Sequence, residues 1–244
     1  MRKDQMDTSR LKSMRIGVAL RALRELIDNP EDTPRVFEIV RALGRSALRR
    51  GLRRFRTTEV GQRVLRERED LIETLRDRDT LAALRPGTLG RAYHDFIYGE
   101  SLSADGLVAA SMHQGVQAYN FKDPDLRRFG ERMRDQHDLW HTLTQYGRDP
   151  FGELCLLAFT YAQTRNRGVG LIVVVGAFRA RRELGIAALR AVWAAYRAGR
   201  HASWLPGEDW DLNLRLPVDQ VRAQLAIKPP AEYRRVLATA QAAA

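Results

Sequence analysis

Two dipeptides, Asp123-Pro124 and Asp149-Pro150, constrain this chain more than any other feature. Each sets a carboxylate at a helix N-cap and a proline at the first helical position, a pairing that opens a helix and is not tolerated inside one. The segment between them therefore reads as one helix with its stop at Gly147, and a second helix starts at Asp149. The first arm of this hairpin carries His137-Asp138-Leu-Trp-His141, and Glu153 follows after eleven residues, in the first turn of the second arm. His137 and His141 are four apart and share a helical face. Two imidazoles and a carboxylate converging from a helical hairpin are a sensible divalent-metal site. Asp138 projects about 100° away on the helix, so it is either a direct ligand or a carboxylate that orients a histidine. The plain alternative is a pair of solvated or hydrogen-bonded histidines. The helix has no His-Glu-x-x-His, so a zinc protease is not the natural reading.

The rest of the pattern is helical. Residues 10–28 are amphipathic, with Leu11, Met14, Val18 and Leu26 at helical intervals before Asn29-Pro30. A second helix begins near Thr33-Pro34 and is expected to break at Gly44. Residues 58–82 are highly charged, with Val60, Val64, Leu71, Leu75 and Leu81 spaced as on an exposed helix. Pro86-Gly87 turns the chain and Thr88 caps a helix containing Tyr93, Phe96 and Ile97; Tyr93 reads as core, as does His94 beside it. A loop over 101–105 precedes a short helix over 106–116 carrying His113, an exposed or structural histidine. After the hairpin, Gly168-Val-Gly170 is expected to interrupt the helix. Residues 186–198 are rich in small side chains suited to close helix packing, and residues 216–225 give one more helix. No alternating β pattern, repeat or glycine-rich phosphate loop is present. The fold predicted is all-α, a single multi-helix domain with a helical-hairpin metal site.

Charge and apolar runs narrow the partners. Of the formal net charge of +11, residues 1–56 hold +8, with fifteen Lys/Arg against seven acids. Such a balance suits anionic partners. Arg45 to Arg56 contains six arginines and no acid, with Leu48, Leu52 and Phe55 on one side. That stretch is either an in-plane membrane contact or a packed helix with solvated arginines. No groove-reading motif accompanies the charge, so nucleic acid is not an expected partner. The longest apolar run, Val169 to Phe178, is ten residues, too short to span a bilayer, and reads as a core or interfacial segment whose Arg179, Arg181 and Arg182 either hold lipid phosphate or form a solvated helix end. The lone Cys155 sits in an apolar helical run and reads as core. The start, Met1-Arg-Lys-Asp-Gln-Met-Asp, lacks an apolar signal region and is a poor transit peptide, so a bacterial cytoplasmic protein is expected.

The His-Asp-x-x-His motif with Glu153 resembles the signature of the coenzyme Q biosynthesis protein 4 family. Leu84-Arg-Pro-Gly-Thr-Leu-Gly-Arg-Ala-Tyr-His-Asp-Phe96 is similar to the family segment ahead of the motif. Gly152 to Gln163 resembles its following helix, and Trp210 to Pro230 its C-terminal end. Gln145 departs from the glycine expected after the metal helix, with Gly147 taking over the turn. The resemblance divides the chain into basic N-terminal helices over 1–80 packed on the main domain, a family-like core over 81–235, and a frayed tail over 236–244. It implies ubiquinone biosynthesis by metal-dependent oxidative decarboxylation, with C1 of a polyprenylated hydroxybenzoate losing its carboxyl and gaining a hydroxyl. His137, Asp138, His141 and Glu153 would be both the metal ligands and the catalytic residues. Zinc is the ion the resemblance implies, while iron, manganese or magnesium suit the same N/O donors. Implied partners are the polyprenylated aromatic substrate, a membrane surface met peripherally on the inner face of the cytoplasmic membrane, other ubiquinone-biosynthesis enzymes and a second copy in a homodimer. The alternative is a non-catalytic lipid-binding scaffold that organises such an enzyme assembly.

Overall fold

The computed structural model describes residues 33–99 and 121–243, together with the single positions Gly17 and Arg21, both helical. Apart from those two positions, the helix expected over 10–28, the loop at 101–105 and the helix with His113 lie outside the described residues.

Helix α1 (Thr33–Phe55) runs unbroken through Gly44. A Cβ there would stand 2.3 Å from the Asn166 side chain, so glycine permits a close crossing and does not end the helix. Leu52 and Phe55 are buried with Val64, Leu126 and Phe129, and Leu48 packs against the same cluster. The apolar side of residues 45–56 is thus used inside the protein while Arg49 and Arg53 stay exposed. The packed-helix reading of that stretch holds, and the in-plane membrane contact does not.

Residues 58–82 form three short helices, not one: α2 (Glu59–Glu67), α3 (Leu71–Arg76) and α4 (Arg78–Ala83). Thr58, Asp70 and Asp77 each accept a backbone N–H at the N-cap, and three such caps in one stretch nucleate three separate starts. Val64, Leu71, Leu75 and Leu81 are buried and Val60 is half-buried, so the stretch expected to be an exposed helix is packed along its apolar positions. Thr88 caps α5 (Leu89–Tyr98) as predicted. The first free N–H groups of that helix go to another segment, Leu89 to the Leu216 carbonyl at 2.9 Å and Gly90 to that of Leu214 at 2.8 Å. Two stretches far apart in sequence are joined there.

The expected single helix after Asp123 is two, α6 (Pro124–Asp135) and α7 (His137–Thr144). Gln136 lies between them, fully buried, where its side-chain oxygen accepts the Trp210 indole N–H at 2.9 Å. The centre of the fold is α8 (Pro150–Thr164), flanked by α9 (Arg167–Leu184) and α10 (Ile186–His201). The interruption expected at Gly168–Gly170 falls earlier, where Arg165 is left-handed (φ 55°) and Asn166 caps α9. Gly168 is instead inside the first turn of α9, and a Cβ on it would meet the Ile39 carbonyl at 2.6 Å. The small residues Ala188, Ala191 and Ala195 of α10 are buried, as expected of a closely packed helix. A 3-10 turn (Leu205–Gly207), α11 (Trp210–Asn213), α12 (Val218–Gln224) and α13 (Ala231–Ala243) complete the chain. Helix α13 carries Tyr233 and Val236 into the main core. Among the described residues there is no strand, only an isolated bridge between Thr88 and Pro217. The fold is all-α and a single domain. No helix among the described residues is long and apolar enough to cross a membrane.

Candidate metal centre

The two Asp-Pro signals build the hairpin as read. Asp123 accepts from Asp125 N and Leu126 N, Asp149 from Phe151 N and Gly152 N, and each helix has proline in its first turn. The turn between the arms is tighter than predicted, because Gln145 itself adopts the left-handed conformation (φ 61°) and closes α7. Gly147 is not the stop. Arg222 of α12 donates to the carbonyls of Leu143 (3.0 Å) and Thr142 (2.9 Å), which covers the exposed acceptor end of α7 with a cation.

His137 and His141 lie one turn apart on α7 with ring centroids 4.8 Å apart. Glu153 folds back as predicted, its carboxylate 3.1 Å from His141 Nε2 and 3.8 Å from His137 Nε2. Asp138 belongs to the cluster too, because one ligand atom each from His137, Asp138 and His141 lies within 4.8 Å of the others. Its Oδ1 is 3.5 Å from His137 Nδ1. All four predicted residues are therefore brought together.

The electrostatics point to a cation. His141 is fully buried, and its Nδ1 lies 2.9 Å from the Tyr146 carbonyl, an acceptor only, so Nδ1 carries the proton. In the neutral ring Nε2 then presents a lone pair. That atom is buried, and at 3.1 Å it faces the Glu153 carboxylate, another acceptor. A lone pair and a carboxylate at 3.1 Å attract only through a shared cation, a proton or a metal ion. Metal–ligand bonds of about 2.0–2.2 Å give ligand separations of roughly 3.0–3.5 Å, so the Glu153 contacts at 3.1 and 3.8 Å are near that range. With a second imidazole beside the Glu153 carboxylate and Asp138 grouped with both histidines, the donor set is one that suits a divalent ion.

Burial alone would lower His137, but the contact with Asp138 and the charges of Glu153 and Asp138 outweigh it and hold the imidazole above its ordinary value. Burial would raise Asp138 and Glu153, yet the facing imidazoles pull both below the usual carboxylate range, with Arg148 adding to the effect on Asp138. The site is partly open: the side chains of His137, Asp138 and Glu153 are 36%, 41% and 40% exposed.

Several residues that shape the site carry no signal in the sequence. Phe96 of α5 stacks on His141 with centroids 5.7 Å apart, and Arg148 lies over Phe96 while donating to its carbonyl. The Tyr233 hydroxyl accepts from Gly147 N at 2.9 Å and donates to Asp149 at 2.5 Å, tying α13 to the hairpin turn. Tyr93 is core, as expected, and burial followed by the Asp138 charge pushes its phenol upward. His94 is not in the cluster and pairs with Asp95 at 3.0 Å. Cys155 is buried, and burial raises its thiol, which makes it inert core.

A family model described as coenzyme Q (ubiquinone) biosynthesis protein Coq4 matches residues 3–231. The mitochondrial ubiquinone biosynthesis protein COQ4 of Yarrowia lipolytica is 26% identical over 178 residues, covering 72% of this chain and 64% of that protein. Its counterpart in Pyrenophora tritici-repentis is 29% identical, covering 71% of this chain and 57% of the other. The matched region thus spans about three-fifths of the length of these curated relatives. A protein of Nostoc punctiforme, provisionally described as a ubiquinone biosynthesis protein, has a crystal structure that superposes with a TM-score of 0.61 at 21% identity. The match covers 86% of this chain and 96% of that one, so the two share a fold. One expectation is corrected here. The bacterial cytoplasmic location read from the first residues does not stand, because the curated relatives are named as mitochondrial proteins.

Proposed function

This chain belongs to the coenzyme Q (ubiquinone) biosynthesis protein Coq4 family, and from that premise we propose that it works in ubiquinone biosynthesis as a metal-dependent enzyme. Its substrate is a polyprenylated hydroxybenzoate, and the change is loss of the C1 carboxyl as CO2 with a hydroxyl installed at the same carbon. This is a two-electron oxidation, so the reaction consumes an oxidant. The observation that carries the proposal is the Glu153 carboxylate placed 3.1 Å from the buried Nε2 of His141 and 3.8 Å from Nε2 of His137.

His137, His141 and Glu153 would hold the ion, with Asp138 either completing the ligand set or bracing His137. A divalent ion bound there supplies Lewis acidity toward a substrate carboxylate or phenolate, stabilising charge as CO2 leaves. The chain's own contribution is placement. Tyr146 fixes the His141 tautomer through its carbonyl, and Phe96 covers one face of that ring. The open sides of His137, Asp138 and Glu153 leave room for a substrate oxygen, which favours a catalytic site over a closed structural one. The substrate is a lipid, and the protein meets it at a membrane surface alongside other enzymes of the same biosynthesis.

The test is product formation from a polyprenylated hydroxybenzoate by purified protein supplied with its oxidant, beside His141→Ala. Loss of product in a variant that keeps its helical content supports catalysis. Undiminished product with the metal ligand removed would leave the non-catalytic scaffold as the better account.

A further inference from the structure

The apolar side of residues 45–56 is packed inside, but another face of the molecule is not. Among the described residues, Val174 and Phe178 of α9 and Ile186 and Trp193 of α10 are large apolar side chains left 53 to 61% exposed. On α9, Arg167, Val174, Phe178 and Arg181 are exposed at helical spacing on one side, opposite the buried Val169, Ile172 and Ala180. On α10, Ile186, Trp193 and Arg197 lie opposite the buried Ala188, Ala191 and Ala195. Both helices pack on α8 and on each other and are joined at Gly185 (φ 75°), so the two apolar stripes lie on the outer side of one hairpin.

The charge around this face selects its occupant. From Arg167 to Arg200 the hairpin carries seven arginines and one acid, Glu183, which pairs with Arg179. A second copy of the same face would meet like charge across the interface. An apolar stripe ringed by arginines, with a tryptophan among the exposed rings, matches the boundary of an anionic bilayer.

We propose that the outer side of the α9–α10 hairpin docks this protein on anionic lipid surfaces, with Val174, Phe178, Ile186 and Trp193 entering the acyl boundary and the arginines meeting headgroup phosphates. Gly176 of α9 rests on the Leu154 side chain, next to Glu153, so the docked helix lies directly against the arm that supplies a metal ligand. The inference deepens the proposed use of a lipid substrate, but its test reads lipid partition alone and does not depend on turnover.

The full chain is mixed with phosphatidylcholine vesicles with and without phosphatidylglycerol, and bound protein is measured by flotation. Expected is binding to the anionic vesicles that falls roughly tenfold or more in Phe178→Ser with Trp193→Ser, at unchanged helical content. Arg49→Ser with Arg53→Ser on α1 removes the same kind of charge elsewhere and is expected to keep most of the binding. Brominated acyl chains are expected to quench wild-type fluorescence through Trp193, and Trp193→Phe to remove that quenching. Unchanged partition of the face variant, an equal loss in the α1 variant, or absent quenching overturns the proposal. A dimer in sedimentation that the face variant dissolves also overturns it, assigning the surface to a second copy.

Discussion

Asp149 and Tyr233 lock the metal hairpin to the C-terminal helix: one Asp149 oxygen caps α8 while the other accepts a 2.5 Å hydrogen bond from the Tyr233 hydroxyl. The same hydroxyl accepts from Gly147 N, so one phenol holds both ends of the turn that presents Glu153 to the histidines.

Removing that phenol oxygen is therefore expected to loosen the site before it unfolds the protein. Tyr233→Phe keeps the ring packing against Tyr146 and Phe151 but loses a hydrogen bond to a charged group, costing about 1.5 to 3 kcal/mol. Metal affinity should fall as well, because the hydroxyl holds the turn from which Glu153 is presented. Competitive chelator titration and urea unfolding check both; a stability loss with unchanged affinity would make Tyr233 a packing residue only.

Gly168 separates helix propensity from packing. Alanine is intrinsically better in a helix by about 1 kcal/mol, but a Cβ here would meet the Ile39 carbonyl and the Val40 Cα at 2.6 and 2.7 Å. Both are backbone atoms, so α9 would have to move off α1. Gly168→Ala should destabilise by about 1 to 3 kcal/mol in chemical denaturation. A more stable variant would show that the two helices have room to adjust.

Much of this fold is legible from local signals. Asp123, Asp149, Thr88 and their neighbours announce helix starts because a cap acts within three residues, and the shared face of His137 and His141 follows from helix geometry alone. What the sequence hides is tertiary. Gly44 and Gly168 look like breaks, yet both mark where another segment passes closely. The amphipathic stretch from Arg45 to Arg56 has the same pattern whether lipid or Phe129 covers Leu52, and only the fold decides. Phe96, Arg222 and Tyr233 reach the hairpin from remote segments, with no spacing rule to reveal them.

Protonation of the metal-free cluster should shape stability in two opposite ways. Asp138 and Glu153 lie below their ordinary values of 3.8 and 4.5, so their contribution is present above those values and is lost as pH falls through the folded pKa. His137 lies above its ordinary 6.5, so its contribution is full below that value and is lost as pH rises through the folded pKa. The chelated protein should thus gain most from the cluster between pH 4.5 and 6.5. Urea unfolding of chelated wild type against His137→Ala checks this. The stability difference should shrink as the pH is raised above that window; a difference constant across pH contradicts it.

Arg222 offers a test of how α7 is held. Arg222→Ala leaves the Leu143 and Thr142 carbonyls without their cationic donor, at a cost of about 1 to 3 kcal/mol. Amide exchange along α7 should quicken while that of α10 stays slow, since the Arg222 guanidinium bonds Leu143, Thr142 and Asp219. Equal exchange in both variants would mean that α7 does not need the cap.

The central claim is that His137, Asp138, His141 and Glu153 hold a divalent ion, and elemental analysis tests it most directly. Gently purified wild-type protein is measured beside His141→Ala and Glu153→Gln, each first shown to be folded. About one equivalent of metal in the wild type, with little or none in folded His141→Ala and a reduced content in Glu153→Gln, is the predicted result. No metal in any of the three, even after reconstitution with zinc, iron or manganese, would contradict it and leave a proton as the cation between His141 and Glu153.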